Sequence, residues 1–89
     1  MRFEWDATKD AANLVKHGIA FASTREFAWH RAVLFDRSRR DDGEKRFAAV
    51  GSLRGKLYTV IFTRRRKSIR IISLRRANKT EEKAYEENS

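Results

Sequence analysis

The chain has 89 residues, with 21 Lys and Arg against 12 Asp and Glu, for a formal net charge of +9. That length predicts a single domain over residues 1–89, with a small core and no deep enclosed pocket. The charge calls for a polyanion or an acidic partner, and the absence of cysteine excludes disulfide staples and thiolate metal sites.

Phe3-Glu4-Trp5 reads as a short first strand. Asp6 is a helix N-cap, and the following helix is expected over Ala7–His17. Ala11, Leu14 and Val15 recur at helical spacing and form its expected inward face. Gly18 ends it, and Lys16 and His17 suit the negative end of the helix dipole. Met1–Phe21 carries no secretory pattern, because Glu4, Asp6, Lys9 and Asp10 interrupt any apolar run. Ser23-Thr24-Arg25-Glu26 has the form of a capping box and predicts a second short helix over Thr24–Trp29.

Ala32–Phe35 is the next expected strand, followed by a polar loop over Asp36–Gly43. Glu44–Leu53 alternates Arg46, Ala48 and Val50 on one face with Phe47 and Ala49 on the other. Arg54-Gly55 turns the chain into a partner strand over Lys56–Arg64, and Arg65-Arg66-Lys67 turns it again. The strand that ends at Arg76 leads to a final helix over Lys79–Glu87, capped from Asn78, with Tyr85 as its only large anchor. The order β-α-α-β-β-β-β-α predicts an α+β fold. Its sheet would be antiparallel, with helices on one face and the other face partly open.

Arg70 stands among Ile69, Ile71, Ile72 and Leu74, with no carboxylate near it in sequence. A guanidinium on such a strand needs an anion, and an external phosphate would serve. Arg46 and Arg75 are further phosphate candidates, with Arg46 and Arg70 expected on neighbouring strands. Pairing with Glu44, Glu82 or Asp36 is the alternative role for these arginines. Metal-free RNA cleavage uses the 2′-hydroxyl as nucleophile. It needs a base, an acid and cations around the phosphorane. Glu44 fits the base, or an ion pair that orients Arg46. His17 fits an acid or base, or a helix-end cation, with Lys16 adding charge beside it. Tyr85 fits a stacking role or a packing anchor, and Trp5 and Trp29 fit the core. Arg64, Arg65 and the Arg37–Arg40 loop fit backbone-tracking charge, or solubility alone. The two histidines show no ligand spacing, so neither a metal nor a cofactor is expected, and no apolar run long enough for a membrane occurs.

Three blocks in order resemble the BrnT family of type II toxins. Phe3-Glu4-Trp5-Asp6 with Lys9, Asn13, Lys16-His17-Gly18 and Phe21 resembles the family's opening. Asp36, Gly43-Glu44-Lys45-Arg46 and Gly51 resemble its middle, and Arg70–Ala77 with Glu82 and Tyr85 its close. Leu74 stands where alanine is expected. The resemblance implies a RelE-like fold, with two short N-terminal helices on one face of an antiparallel sheet and a C-terminal helix. It implies a cytoplasmic ribonuclease that blocks translation and arrests growth. It also implies a cognate antitoxin, BrnA, of ribbon-helix-helix type, which reaches operator DNA on the toxin's behalf. The residues read alone leave two alternatives, a non-catalytic nucleic-acid-binding module and a pure protein-interaction module.

Overall fold

The computed structural model describes residues 2–38 and 44–88. Its strands are β1 (Arg2–Trp5), β2 (Val33–Asp36), β3 (Phe47–Leu53), β4 (Lys56–Arg65) and β5 (Ser68–Arg76). Its helices are α1 (Ala7–His17) and α2 (Lys79–Asn88). Arg39, Arg40 and Gly43 of the expected polar loop lie outside the described residues.

The strands form one five-stranded sheet in the order β1-β5-β4-β3-β2. β2 through β5 pair antiparallel, as expected, but β1 pairs parallel with β5, so the sheet is mixed. The parallel register sets Glu4 directly opposite Arg70. On one face, Phe21, Val60, Phe62, Ile71 and Leu74 pack into the core. Trp29 sits in that core at 4.9 Å from Phe27 and 5.4 Å from Phe62, and its indole N–H donates to the Thr24 carbonyl. Gly51 lets this packing close: a Cβ there would lie 2.8 Å from the Phe27 ring.

β5 switches sides partway along. Phe62 pairs with Ile71 and Ile61 with Ser73, which leaves Ile72 as an extra residue in a β-bulge. The bulge keeps Ile69, Ile71 and Leu74 all buried despite their uneven spacing. It leaves Arg70 and Arg75 on the opposite face.

α1 forms where the local signals place it. Asp6 Oδ1 accepts from the N–H groups of Thr8 and Lys9, at 2.8 and 3.1 Å, and Gly18 closes the helix at φ 73°. Its orientation differs from the expectation: Leu14 is 50% and Val15 89% exposed, and only Asn13 is buried. β1 pairs with β5 only as far as Ile71, so Leu74 has no strand neighbour on that side. The Asn13 amide replaces one. It donates to the Leu74 carbonyl at 2.8 Å and accepts from the Leu74 N–H at 3.2 Å. Satisfying buried backbone groups of the sheet decides which side of α1 faces inward.

The expected second helix over Thr24–Trp29 is instead a 3-10 helix over Phe21–Glu26 and a second, three-residue 3-10 helix over Trp29–Arg31. The capping box does not form, because the Glu26 carboxylate is taken by Arg54 at 2.6 Å. α2 packs over β2 and β3 on the face that carries Thr59, whose hydroxyl donates to Glu81, while α1 lies along the free edge of β5, where Asn13 meets the Leu74 backbone. α2 covers one end of the Thr59 face and leaves the β1–β5–β4 end open.

Candidate active site

The open end holds a cleft of about 310 Å³, lined by Lys9, Glu44, Arg46, Thr63, Arg65, Arg70 and Ile72. The sheet's alternation explains the set. Thr63 pairs with Arg70 across β4 and β5, and both point away from the core. β3 begins at Phe47, so Arg46 and Glu44 belong to the segment just before it rather than to the strand. That segment is held down by backbone contacts. The Thr63 hydroxyl donates to the Lys45 carbonyl at 2.7 Å, and the Arg46 carbonyl accepts from the Arg37 N–H at 2.8 Å. Arg46 and Arg70 therefore share the cleft with β4 between them, not from adjacent strands.

Arg70 does not depend on an external anion. Its Nη1 donates to Glu4 at 2.8 Å, and the Ser68 hydroxyl donates to the same carboxylate. These two contacts, the Ser68 hydroxyl first, hold the Glu4 carboxyl below the usual carboxylate range. The contact to Arg70 uses one arm of the guanidinium. Glu44 pairs with Arg65 at 3.2 Å rather than with Arg46. Among the described residues neither the Arg46 nor the Lys9 side chain makes a hydrogen bond or ion pair, although Lys9 also acts at longer range on the Asp6 carboxylate, so the cleft carries cations that its own carboxylates do not engage.

Arg75 lies elsewhere and does different work. Its guanidinium grips Glu81 with both arms, at 2.7 and 2.9 Å. Glu81 is 5% exposed and also accepts from the Thr59 hydroxyl and the Asn78 N–H, both at 2.9 Å. Burial raises the Glu81 pKa, but the Arg75 fork, the Asn78 N–H and the Thr59 hydroxyl outweigh it and hold the carboxyl at about 2. Asn78 Oδ1 in turn accepts from the Glu81 N–H at 2.8 Å, completing a reciprocal cap for α2. The pair pins α2 to the sheet. The expected partners Glu82 and Asp36 take no part in it.

The remaining expected residues are dispersed. Lys16 and His17 are exposed at the C-terminal end of α1, roughly 12 Å along the axis from Lys9. Neither lines the cleft. Arg64 lies over the Phe47 ring at 5.8 Å, at the rim of a second hollow around the β4–β5 turn that also borders Arg65 and Lys67. Tyr85 is half-buried on α2, away from the cleft. Among the described residues, no group of three or more His, Asp or Glu is placed to hold a metal ion. No described helix is long and apolar enough to cross a membrane.

Two residues of this arrangement escaped the sequence reading. Lys9 sits one turn before Asn13, so it shares the sheet-facing side of α1, a signal available from spacing alone. Glu4 is brought to Arg70 only by the parallel pairing of strands 66 residues apart. A search of the curated proteins finds no match to this chain. Residues 5–81 match the model for the ribonuclease toxin BrnT of type II toxin–antitoxin systems, and the chain belongs to that family.

Proposed function

We propose that the chain is a metal-independent endoribonuclease that cuts RNA in this cleft and so blocks translation. The observation that carries the reading is the meeting of Arg46 and Lys9, which no described carboxylate bonds, with a pre-oriented Arg70 in an open hollow. Arg46 and the free arm of Arg70 grip the non-bridging oxygens of the scissile phosphate and take up the charge that develops on the phosphorane. Glu44, held by Arg65, accepts the proton of the 2′-hydroxyl. O2′ then bonds to phosphorus, and the bond from phosphorus to O5′ breaks. Lys9 supplies the proton to O5′, because a guanidinium does not give up its proton at working pH and the Thr63 hydroxyl is committed to the Lys45 carbonyl. The products are a 2′,3′-cyclic phosphate and a 5′-hydroxyl. His17 has no part in this scheme.

An antitoxin partner belongs to the family's biology. The finer reading is a BrnA-like ribbon-helix-helix protein that keeps the chain inactive in the cytoplasm and carries it to operator DNA. The RelE-like fold as a single domain belongs to the same reading. The test is incubation of purified protein with mRNA in excess chelator, followed by end-group analysis. Fragments ending in 2′,3′-cyclic phosphate are expected. An intact transcript that is nevertheless bound would establish the non-catalytic binding module, and cleavage that stops on chelation would remove the metal-free route.

A further inference from the structure

The hollow at the β4–β5 turn takes no part in the cleavage steps. It has a volume of about 440 Å³ and is lined by Arg64, Arg65, Arg66, Lys67, Ser68 and Ile69. Its floor is mostly apolar, made by Ile69 and the stems of the long side chains. Its rim carries exposed cations at consecutive positions, Arg64 to Lys67. Arg64 lies over the Phe47 ring and Arg65 is paired with Glu44. Among the described residues the Arg66 and Lys67 side chains make no hydrogen bond or ion pair. An apolar floor under a cationic rim matches a nucleobase with its phosphate. Arg65 also borders the cleft, so the hollow continues the cleft around the end of the sheet.

We propose that this hollow seats the nucleotide one step upstream of the one whose 2′-hydroxyl attacks, so that RNA crosses the site with its 5′ side over the β4–β5 turn and its 3′ side towards α1. The polarity rests on the proposed cleavage scheme. O2′ belongs to the nucleotide upstream of the cut and O5′ to the one downstream, and in-line displacement sets them on opposite sides of phosphorus. The O2′ proton goes to Glu44, which is tied to Arg65 on the side of the turn. The O5′ proton comes from Lys9. β1 ends beside Ile71 and α1 runs on to Leu74, so Lys9 enters the cleft from the side away from the turn. The Thr63–Arg70 pair in the cleft and the Arg65–Ser68 pair at the turn stand two residues apart, about 7 Å along the strands and close to the span of one nucleotide. Arg66 and Lys67 then receive the next phosphate upstream, and the base beyond it lies on the apolar floor.

The test uses DNA oligonucleotides with a single ribonucleotide, whose one 2′-hydroxyl fixes the cut. When the ribonucleotide is the 5′ end, nothing reaches the hollow. Adding one deoxynucleotide before it is expected to raise kcat/KM about 30-fold, and adding one at the 3′ end by less than about threefold. An abasic residue at the added 5′ position is expected to give back about fivefold of that gain. In Arg66→Ala/Lys67→Ala the 5′ gain is expected to shrink to about fivefold, the part owed to the base. Lys56→Ala/Lys83→Ala removes the same charge at exposed positions away from the hollow and is expected to keep the full gain. Thermal unfolding is expected to match the parent in both double variants. A 3′ gain equal to or above the 5′ gain, an abasic residue that gives back nothing, or a full 5′ gain in Arg66→Ala/Lys67→Ala would overturn the proposal. If the wild-type chain cuts none of these oligonucleotides, the cleavage scheme fails, and affinity for a short all-deoxy oligonucleotide decides the hollow alone. A loss in Arg66→Ala/Lys67→Ala of about tenfold beyond the charge-matched control keeps it as a nucleotide seat, and equal affinities overturn it.

Discussion

Arg70 and Arg75 stand five residues apart on the same strand, on the same side of the sheet, and each is paired with a glutamate, yet the two pairs differ in kind. Arg75 is closed: both arms are on one carboxylate that is itself 5% exposed and has accepted three further hydrogen bonds, from Thr59, Asn78 and Arg37. Arg70 is open: one arm is on a carboxylate 40% exposed, and the other side of the guanidinium faces a cleft with spare positive charge. A paired arginine is therefore not by itself a structural arginine. The number of arms engaged and the burial of the partner decide between a clamp and a poised cation.

The largest effect on stability is expected where the pair is closed. Glu81→Gln leaves Arg75 facing a neutral group and should cost on the order of 3 kcal/mol of unfolding free energy at pH 7. The same contact fixes a pH dependence. The carboxyl titrates at about 2 in the folded protein and near 4.5 otherwise, so the unfolded chain binds its proton first. The stabilisation is complete above about pH 4.5 and is lost as pH falls towards about 2. Urea midpoints measured from pH 6 to pH 2 should therefore fall steeply for wild type and less for Glu81→Gln. Parallel curves would mean that Glu81 is not the clamp. Glu4→Gln, in the open pair, should leave the midpoint close to that of the parent.

The smallest effect belongs to the exposed pair at the rim, Arg65 with Glu44, whose side chains are 46% and 48% exposed. Arg65→Ala should change stability by less than about 1 kcal/mol. Its mark should appear in RNA binding, where the slope of log affinity against log salt falls by about 0.7 if the residue meets one phosphate of a single strand. An unchanged slope would place Arg65 outside the RNA path.

What could be read from the sequence was what local chemistry decides. Asp6 and Gly18 bracket α1 at its observed ends, because a cap acts on backbone groups within one turn. The Arg54-Gly55 turn and the arginine-bearing strand were legible for the same reason. Long-range satisfaction was not legible. Nothing around residue 13 says that Leu74 lacks a strand neighbour, so local spacing alone turns Leu14 and Val15 inward. Nothing near Glu26 says that Arg54 will claim its carboxylate, so the local pattern predicts a capping box where none forms. Local sequence shows Arg70 without an anion and points to an external phosphate, whereas Glu4 meets its guanidinium once β1 lies parallel to β5. The site was legible as a set of cations and illegible as a geometry. The bulge at Ile72, which puts Arg70 and Arg75 on one face, arises from pairing and not from spacing.

Turnover per folded molecule, compared between Arg70→Ala and Arg75→Ala, tests the distinction most directly. Arg70→Ala is expected to lose on the order of 10²-fold in RNA cleavage with its unfolding midpoint near that of the parent. Arg75→Ala is expected to unfold at lower urea while its folded fraction cleaves at the parent rate. A fully active Arg70→Ala, or a folded Arg75→Ala equally devoid of activity, would contradict the assignment of one arginine to the phosphate and the other to the scaffold.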